Sequence, residues 1–125
     1  TDSGAAYVFV RDIADEWNEE TKLIASDGAS SDNFGWSVGV GLDIAIVGAL
    51  YSDAPSSDSG ALYTYERTGT NWIEGSKLTG TDSASGDRLG TSVSINAEVA
   101  VVGAPGYTVA TKETGAIHVF TAQPR

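Results

Sequence analysis

The feature that most constrains this chain is that it repeats itself. Trp17-Asn18-Glu19-Glu20-Thr21-Lys22-Leu23 returns as Trp72-Ile73-Glu74-Gly75-Ser76-Lys77-Leu78. Residues 32–38 (DNFGWSV) return as 87–93 (DRLGTSV), and Ala45-Ile46-Val47-Gly48-Ala49 returns as Ala100-Val101-Val102-Gly103-Ala104. The offset is 55 throughout, and 15 of the 34 positions from 16 to 49 are identical at that shift, which marks a duplication. A further element occurs three times, as Gly4-Ala5-Ala6-Tyr7-Val8-Phe9, Gly60-Ala61-Leu62-Tyr63-Thr64-Tyr65 and Gly115-Ala116-Ile117-His118-Val119-Phe120. A period of this length means an array of similar supersecondary units that stack to bury a shared core.

Each unit is made of strands. Short segments rich in Val, Ile, Tyr, Phe and Thr, bounded by Gly, Asp, Ser or Asn, fall roughly at 4–11, 17–24, 34–40, 43–49, 60–67, 72–79, 89–95, 98–104 and 115–121. None carries a sustained helical period. Four strands make one repeat, so nine make two repeats, about 4–59 and 60–114, plus one extra strand at 115–121. The run from Ile44 to Ala49 is apolar at both alternations, as is the run from Ala5 to Phe9. Strands of that kind need cover on both faces. Sheets stacked around an axis supply it. The chain is therefore expected to be all-β, a single segment (1–125) of β-propeller blades, each of four antiparallel strands. Trp17 and Trp72, on more polar strands, are expected toward the rim.

Phe34-Gly35-Trp36-Ser37-Val38, followed by Ile46-Val47-Gly48-Ala49, resembles the FG-GAP signature of integrin-type propeller blades. The second copy reads Leu89-Gly90-Thr91-Ser92-Val93, then Val102-Gly103-Ala104-Pro105. Two matches in register with their flanking strands carry the resemblance over nearly the whole chain. Leu50 replaces the family's Pro in one copy and Leu89 its Phe in the other. Many blades of that family hold calcium in a loop of the Asp-x-Asp-x-Asp-Gly type. Here the corresponding loops are Gly41-Leu42-Asp43 and Asn96-Ala97-Glu98, each short and with a single carboxylate. Calcium takes six to eight oxygen ligands, so the resemblance does not carry a metal site or a cofactor onto this chain.

Composition narrows the partners. Seventeen acidic residues against seven basic ones give a net charge of −10. That argues against nucleic acid, whose binding rests on phosphate neutralisation, and against an anionic membrane surface. No apolar run reaches the length of a membrane helix. Without cysteine the chain has neither disulfides nor thiolate chemistry. Thr1-Asp2-Ser3-Gly4 is polar and does not read as a signal peptide, so the chain is expected to be a mature product or a piece of a longer protein.

The candidate sites have plain structural readings. Asp27 and Asp32 recur as Asp82 and Asp87 in Ser/Gly-rich turns, as Asx-turns or as halves of a cation site. His118, the single histidine, aligns with Tyr7 and Tyr63 and fills an aromatic slot. Trp36, Tyr51 and Tyr107 lie in or beside turns and are able to stack on sugars. The segment 52–59 (SDAPSSDS) reads as a solvated loop. No nucleophile or acid/base pair stands in register, so no catalytic residue is expected.

Closed propellers need about four to eight blades. Two blades and a strand are therefore expected to be completed by self-assembly, as a ring or a filament, or to be cut from a larger propeller. The candidate inter-subunit strands are those of Ala5, Tyr7 and Phe9, and of Ala116, Ile117, Val119 and Phe120. Of these, 115–121 is expected to pair within its own chain, because its tether is short. The expected function is a non-enzymatic extracellular or cell-surface module for adhesion, protein recognition or scaffolding. The alternatives are a glycan-binding lectin-like propeller and a structural subunit of a polymer.

Overall fold

A computed structural model describes residues 2–53 and 55–121. Its strands are β1 (Ala6–Arg11), β2 (Trp17–Leu23), β3 (Phe34–Val40), β4 (Ile44–Ala49), β5 (Ala61–Thr68), β6 (Asn71–Leu78), β7 (Ser92–Ile95), β8 (Val99–Ala104), β9 (Thr108–Val109), β10 (Lys112–Glu113) and β11 (Ala116–Thr121). Among the described residues there is no helix. The sheets are the hairpin β1-β2, a central antiparallel sheet in the order β3-β4-β5-β6, a C-terminal sheet in the order β11-β8-β7, and the small hairpin β9-β10. The central sheet is one complete blade. By the repeat, β1 and β2 correspond to its strands β5 and β6, and β7, β8 and β11 correspond to β3, β4 and β5.

The apolar alternation of β4 explains the stacking. Ala45, Val47 and Ala49 point to one face and join Phe34, Ala61, Tyr63 and Tyr65 in a core closed by Ala6 and Leu23 of the N-terminal hairpin, with Val8 and Trp72 packed against it. Ile46 points to the other face. There, with Leu62, it joins Leu89, Ala100, Val102 and Ala104 of the C-terminal segment, with Leu78, Val93, Ile95 and Phe120 alongside. The central sheet is thus covered on both sides by its sequence neighbours. Phe34 meets Tyr63 edge-on at 5.2 Å between ring centroids, a favoured aromatic geometry.

Glycine makes the approach of neighbouring sheets possible. Gly60 forms an isolated parallel bridge with Leu89, and Gly4 forms its counterpart with Phe34. A Cβ on Gly60 would lie 2.1 Å from the Leu89 carbonyl oxygen, and one on Gly4 would lie 2.0 Å from that of Phe34.

Four points depart from the expectations. The strand from Ala5 to Phe9 is covered on one face only: Tyr7 is 53% exposed and Phe9 52%. Sequence alternation registers that both faces are apolar, not whether a neighbour is present. The strand expected over 89–95 begins at Ser92, and Leu89 stands outside it as an isolated bridge to Gly60. The loop after Ala104 folds into β9-β10, too short to carry a sequence period. The segment 52–59 is more than a solvated loop, since Ser52 and Ser59 are buried and Ser52 accepts a hydrogen bond from the Gly60 N–H at 3.0 Å. The long strands otherwise fall where the pattern puts them, and β11 pairs with β8 of its own chain, from Ala116↔Ala104 to Thr121↔Val99.

Candidate functional site

The blade-to-blade seam is the most specific construction in the molecule, and it recurs. At the seam between the central and C-terminal sheets, the Leu89 N–H donates to the Ser59 carbonyl at 2.9 Å and the Arg88 N–H to the Asp58 carbonyl at 3.1 Å. The Ser37 hydroxyl donates to the Gly90 carbonyl at 2.6 Å. At the N-terminal seam the Phe34 N–H donates to the Ser3 carbonyl at 3.0 Å. In each case an apolar-Gly dipeptide seats against the glycine that opens a blade's third strand, and at the Gly60 seam the end of the second strand, at Gly48, completes the socket. The sequence supplies that socket a third time, around Gly115. There it is an open hollow of ≈ 430 Å³ lined by Thr91, Ser92, Gly103, Pro105, Gly115 and Ile117. A Cβ on Gly115 would meet nothing nearer than the Pro105 carbonyl, at 3.5 Å.

A second hollow, of ≈ 640 Å³, lies between the outer part of the central sheet and β11, with Leu62, Thr64, Gly75, Leu78, Ile95 and Phe120 in its walls. Among the described residues no strand borders the far edge of β11. On the outward face of β11, Ile117 is 69% exposed and Val119 59%. Val38 and Val40, the repeat counterparts of the packed Val93 and Ile95, are 60% and 65% exposed at the opposite end of the stack. Of the expected inter-subunit residues, Tyr7, Phe9, Ile117 and Val119 are therefore open. Ala5 and Ala116 are half-buried, and Phe120 turns inward against the core.

Polar clamps lock the N-terminal seam. Glu20 on β2 accepts from Arg67 Nε at 2.9 Å, from Arg67 Nη2 at 2.6 Å and from Trp72 Nε1 at 2.7 Å. Asp27 accepts from Tyr63 Oη at 2.7 Å and Lys77 Nζ at 2.8 Å, while Tyr65 Oη donates to the Ile24 carbonyl at 2.7 Å. Bonds from Arg67 and then Trp72 hold the Glu20 carboxyl below its ordinary value. Bonds from Lys77 and then Tyr63 do the same for Asp27. A carboxyl depressed in the folded state contributes stability that is present above its unfolded pKa and lost as pH falls through the folded one. The melting temperature is therefore expected to fall from about pH 5 toward about pH 2. Glu20→Gln should lower it at neutral pH and flatten the acid limb, as thermal melts across that range would show. An acid limb unchanged by Glu20→Gln would remove Glu20 from this role.

The repeated aspartates are turn builders. Asp32 and Asp87 are buried, and each accepts the N–H three residues back, that of Ala29 and of Ala84, both at 2.9 Å. Asp82 accepts from Tyr107 Oη at 2.5 Å, since His118 stands where Tyr63 reaches Asp27. The two short loops compared with calcium loops are hairpin turns. The Gly41 N–H bonds the Ile44 carbonyl, and Asn96 Oδ1 accepts from the N–H groups of Glu98 and Val99. Among the described residues no three His, Asp or Glu side chains gather as a metal's ligands would. His118 stacks with Phe120 at 6.4 Å. Of the three candidate sugar-stacking rings, Trp36 stands exposed on β3, Tyr51 is at the margin of exposure, and the Tyr107 hydroxyl is held by Asp82.

Sequence reasoning did not single out Glu20, Lys77 or the Gly115 socket. The signal for the socket was present in the threefold Gly-Ala-x-aromatic element, but only the seams at Gly4 and Gly60 show what that glycine receives.

A four-stranded antiparallel sheet stacked between a matching three-stranded sheet and a hairpin, each locked by an apolar-Gly turn against the glycine of the preceding unit, has the build of β-propeller blades. The family model for the FG-GAP repeat matches residues 17–65 and 72–120, and the chain belongs to the FG-GAP repeat family. No curated protein matches it.

Proposed function

We propose that this chain is a non-enzymatic binding and scaffolding module of extracellular or cell-surface type, working in adhesion or protein recognition and associating with itself through the ends of its blade stack. The observation that carries the reading is the pair of exposed apolar faces at the two ends of the described stack. Val38, Val40, Tyr7 and Phe9 are exposed at one end and Ile117 and Val119 at the other, whereas the interior repeat counterparts Tyr63, Tyr65 and Leu62 are buried. Exposed apolar patches of this kind mark interaction sites. Membership of the FG-GAP family supports the extracellular recognition role. A net charge of −10 favours protein partners over nucleic acid. The aspartates of the repeated turns are occupied by structural hydrogen bonds, which supports a non-catalytic reading.

Sedimentation velocity over a concentration series tests it. The weight-average mass is expected to rise with concentration, and Ile117→Asp should weaken the association about tenfold or more, since an apolar contact of that size is worth at least this factor. A protein that stays monomeric at every concentration would overturn the self-association. Selective retention of glycans by that monomer would favour the lectin alternative.

A further inference from the structure

We propose that two copies of this chain join by strand exchange: β11 of one copy displaces β1 of the next from its place between β2 and Phe34. The proposal rests on the self-association reading above and specifies its joint.

The seams inside one chain define what the open end accepts. The socket around Gly60 holds Leu89-Gly90, and its counterpart around Gly4 holds Phe34-Gly35. The third socket, around Gly115, is open. In a second copy Leu89-Gly90 is seated deep in the stack, with Leu89 buried in the core shared by two sheets. Phe34 is likewise buried in the core of its own sheet, but across the seam its backbone bonds only the segment that carries Gly4. Phe34-Gly35 is therefore the dipeptide that an incoming Gly115 can reach, and doing so requires Gly4 and β1 to leave.

The exchange improves the packing that it replaces. At the shared repeat positions Ile117 takes the place of Ala6, and Val119 that of Val8. The central blade's own version of the first of these positions is Leu62, which is fully buried. An isoleucine there removes more apolar surface from water than the alanine now present. The β1 strand releases little, because Tyr7 and Phe9 already stand half in solvent.

The pairing register also fits. β1 pairs with β2 as Ala6↔Leu23 and Tyr7↔Lys22, with a bulge after Val8. β5 pairs with β6 as Leu62↔Leu78 and Tyr63↔Lys77, with a bulge between Tyr63 and Tyr65. β11, carrying the same strand pattern, would set Ile117 opposite Leu23 and His118 opposite Lys22. The partner's β2 then becomes the fourth strand of the C-terminal sheet and satisfies the backbone groups along the edge of β11. Its Trp17, 66% exposed in the single chain, occupies the position that Trp72 holds in the central blade. β7 and β8 arrive behind β11 and cover the partner's exposed Val38 and Val40, as Val93 and Ile95 are covered within one chain.

The chain has no cysteine, so a disulfide can report the joint without background. Inside one chain, Gly39 lies against Ile95 across the seam, its Cβ direction 3.2 Å from the isoleucine methyl. The repeat counterparts across the proposed joint are Ser94 of one copy and Val40 of the next, both exposed in the single chain. Full-length Val40→Cys is mixed with full-length Ser94→Cys under mild oxidation. The expected product is a mixed disulfide dimer in clear excess over either homodimer. In the unsubstituted chain, hydrogen exchange at rising concentration should show amides of 116–121 gaining protection while those of 6–11 lose it. Association without the mixed disulfide would overturn the joint and leave the self-association reading intact. A mixed disulfide with 6–11 still protected would overturn the exchange, in favour of a joint that retains β1. Absence of association in the unsubstituted chain would overturn both readings.

Discussion

Gly60→Val is expected to destabilise the protein by about 4 kcal/mol or more, in the range reserved for steric and backbone failures in a packed interior. Gly60 has φ of +82°, a conformation that β-branched residues strongly disfavour. Its Cβ direction runs into the Leu89 backbone, 2.1 Å from the carbonyl oxygen and 2.4 Å from the nitrogen. Backbone cannot rotate out of the way as a side chain does, so the seam must open, exposing Leu89, Val102 and Leu62. Gly115→Val is the control. Gly115 also has positive φ, at +74°, but its Cβ direction is open to 3.5 Å. In the unassociated chain it should cost only the backbone strain, about 1–2 kcal/mol. Urea denaturation of the two variants isolates the seam as their difference. Equal losses would mean that the Gly60–Leu89 approach contributes nothing.

Tyr63→Ala is expected to cost about 3–5 kcal/mol, the usual range for truncating a buried aromatic ring. Tyr63 is fully buried and meets Phe34 edge-on. The Lys77 ammonium lies 5.1 Å from its ring centroid. Its hydroxyl reaches out of the core to Asp27 at 2.7 Å, so one side chain joins the central sheet to the loop that follows the N-terminal hairpin. Tyr63→Phe removes only that hydroxyl and should cost about 1 kcal/mol, because Asp27 retains Lys77 as a donor. The two variants separate the ring from the clamp in a single denaturation series. A loss for Tyr63→Phe as large as that for Tyr63→Ala would place the stability in the hydrogen bond instead of the packing. His118 shows how the second repeat manages without this clamp: Asp82 turns to Tyr107 instead.

The strands and their order were legible because they rest on local signals. Alternation, turn residues and the 55-residue offset lie within a few positions of one another or recur at a fixed distance. Ile44–Ala49 reads as a strand covered on both faces, and the core residues Ala45 to Ala49 are all buried. The same reading failed for Ala5–Phe9, where equal apolarity leaves Tyr7 and Phe9 in solvent. Glu20 was not legible as a clamp because Arg67 and Trp72 lie about 50 positions away and nothing local couples them.

The sequence by itself determined that this is an array of all-β FG-GAP blades and where the long strands lie. Repetition imposes those features one unit at a time, and each unit carries its own instructions. The tertiary structure alone decided which copies of a repeated position are covered. Leu62 and Ile117 are equivalent in sequence, yet one is sealed and the other is 69% exposed. Burial is a property of the neighbouring sheet, and a residue's own identity does not encode whether that neighbour is there.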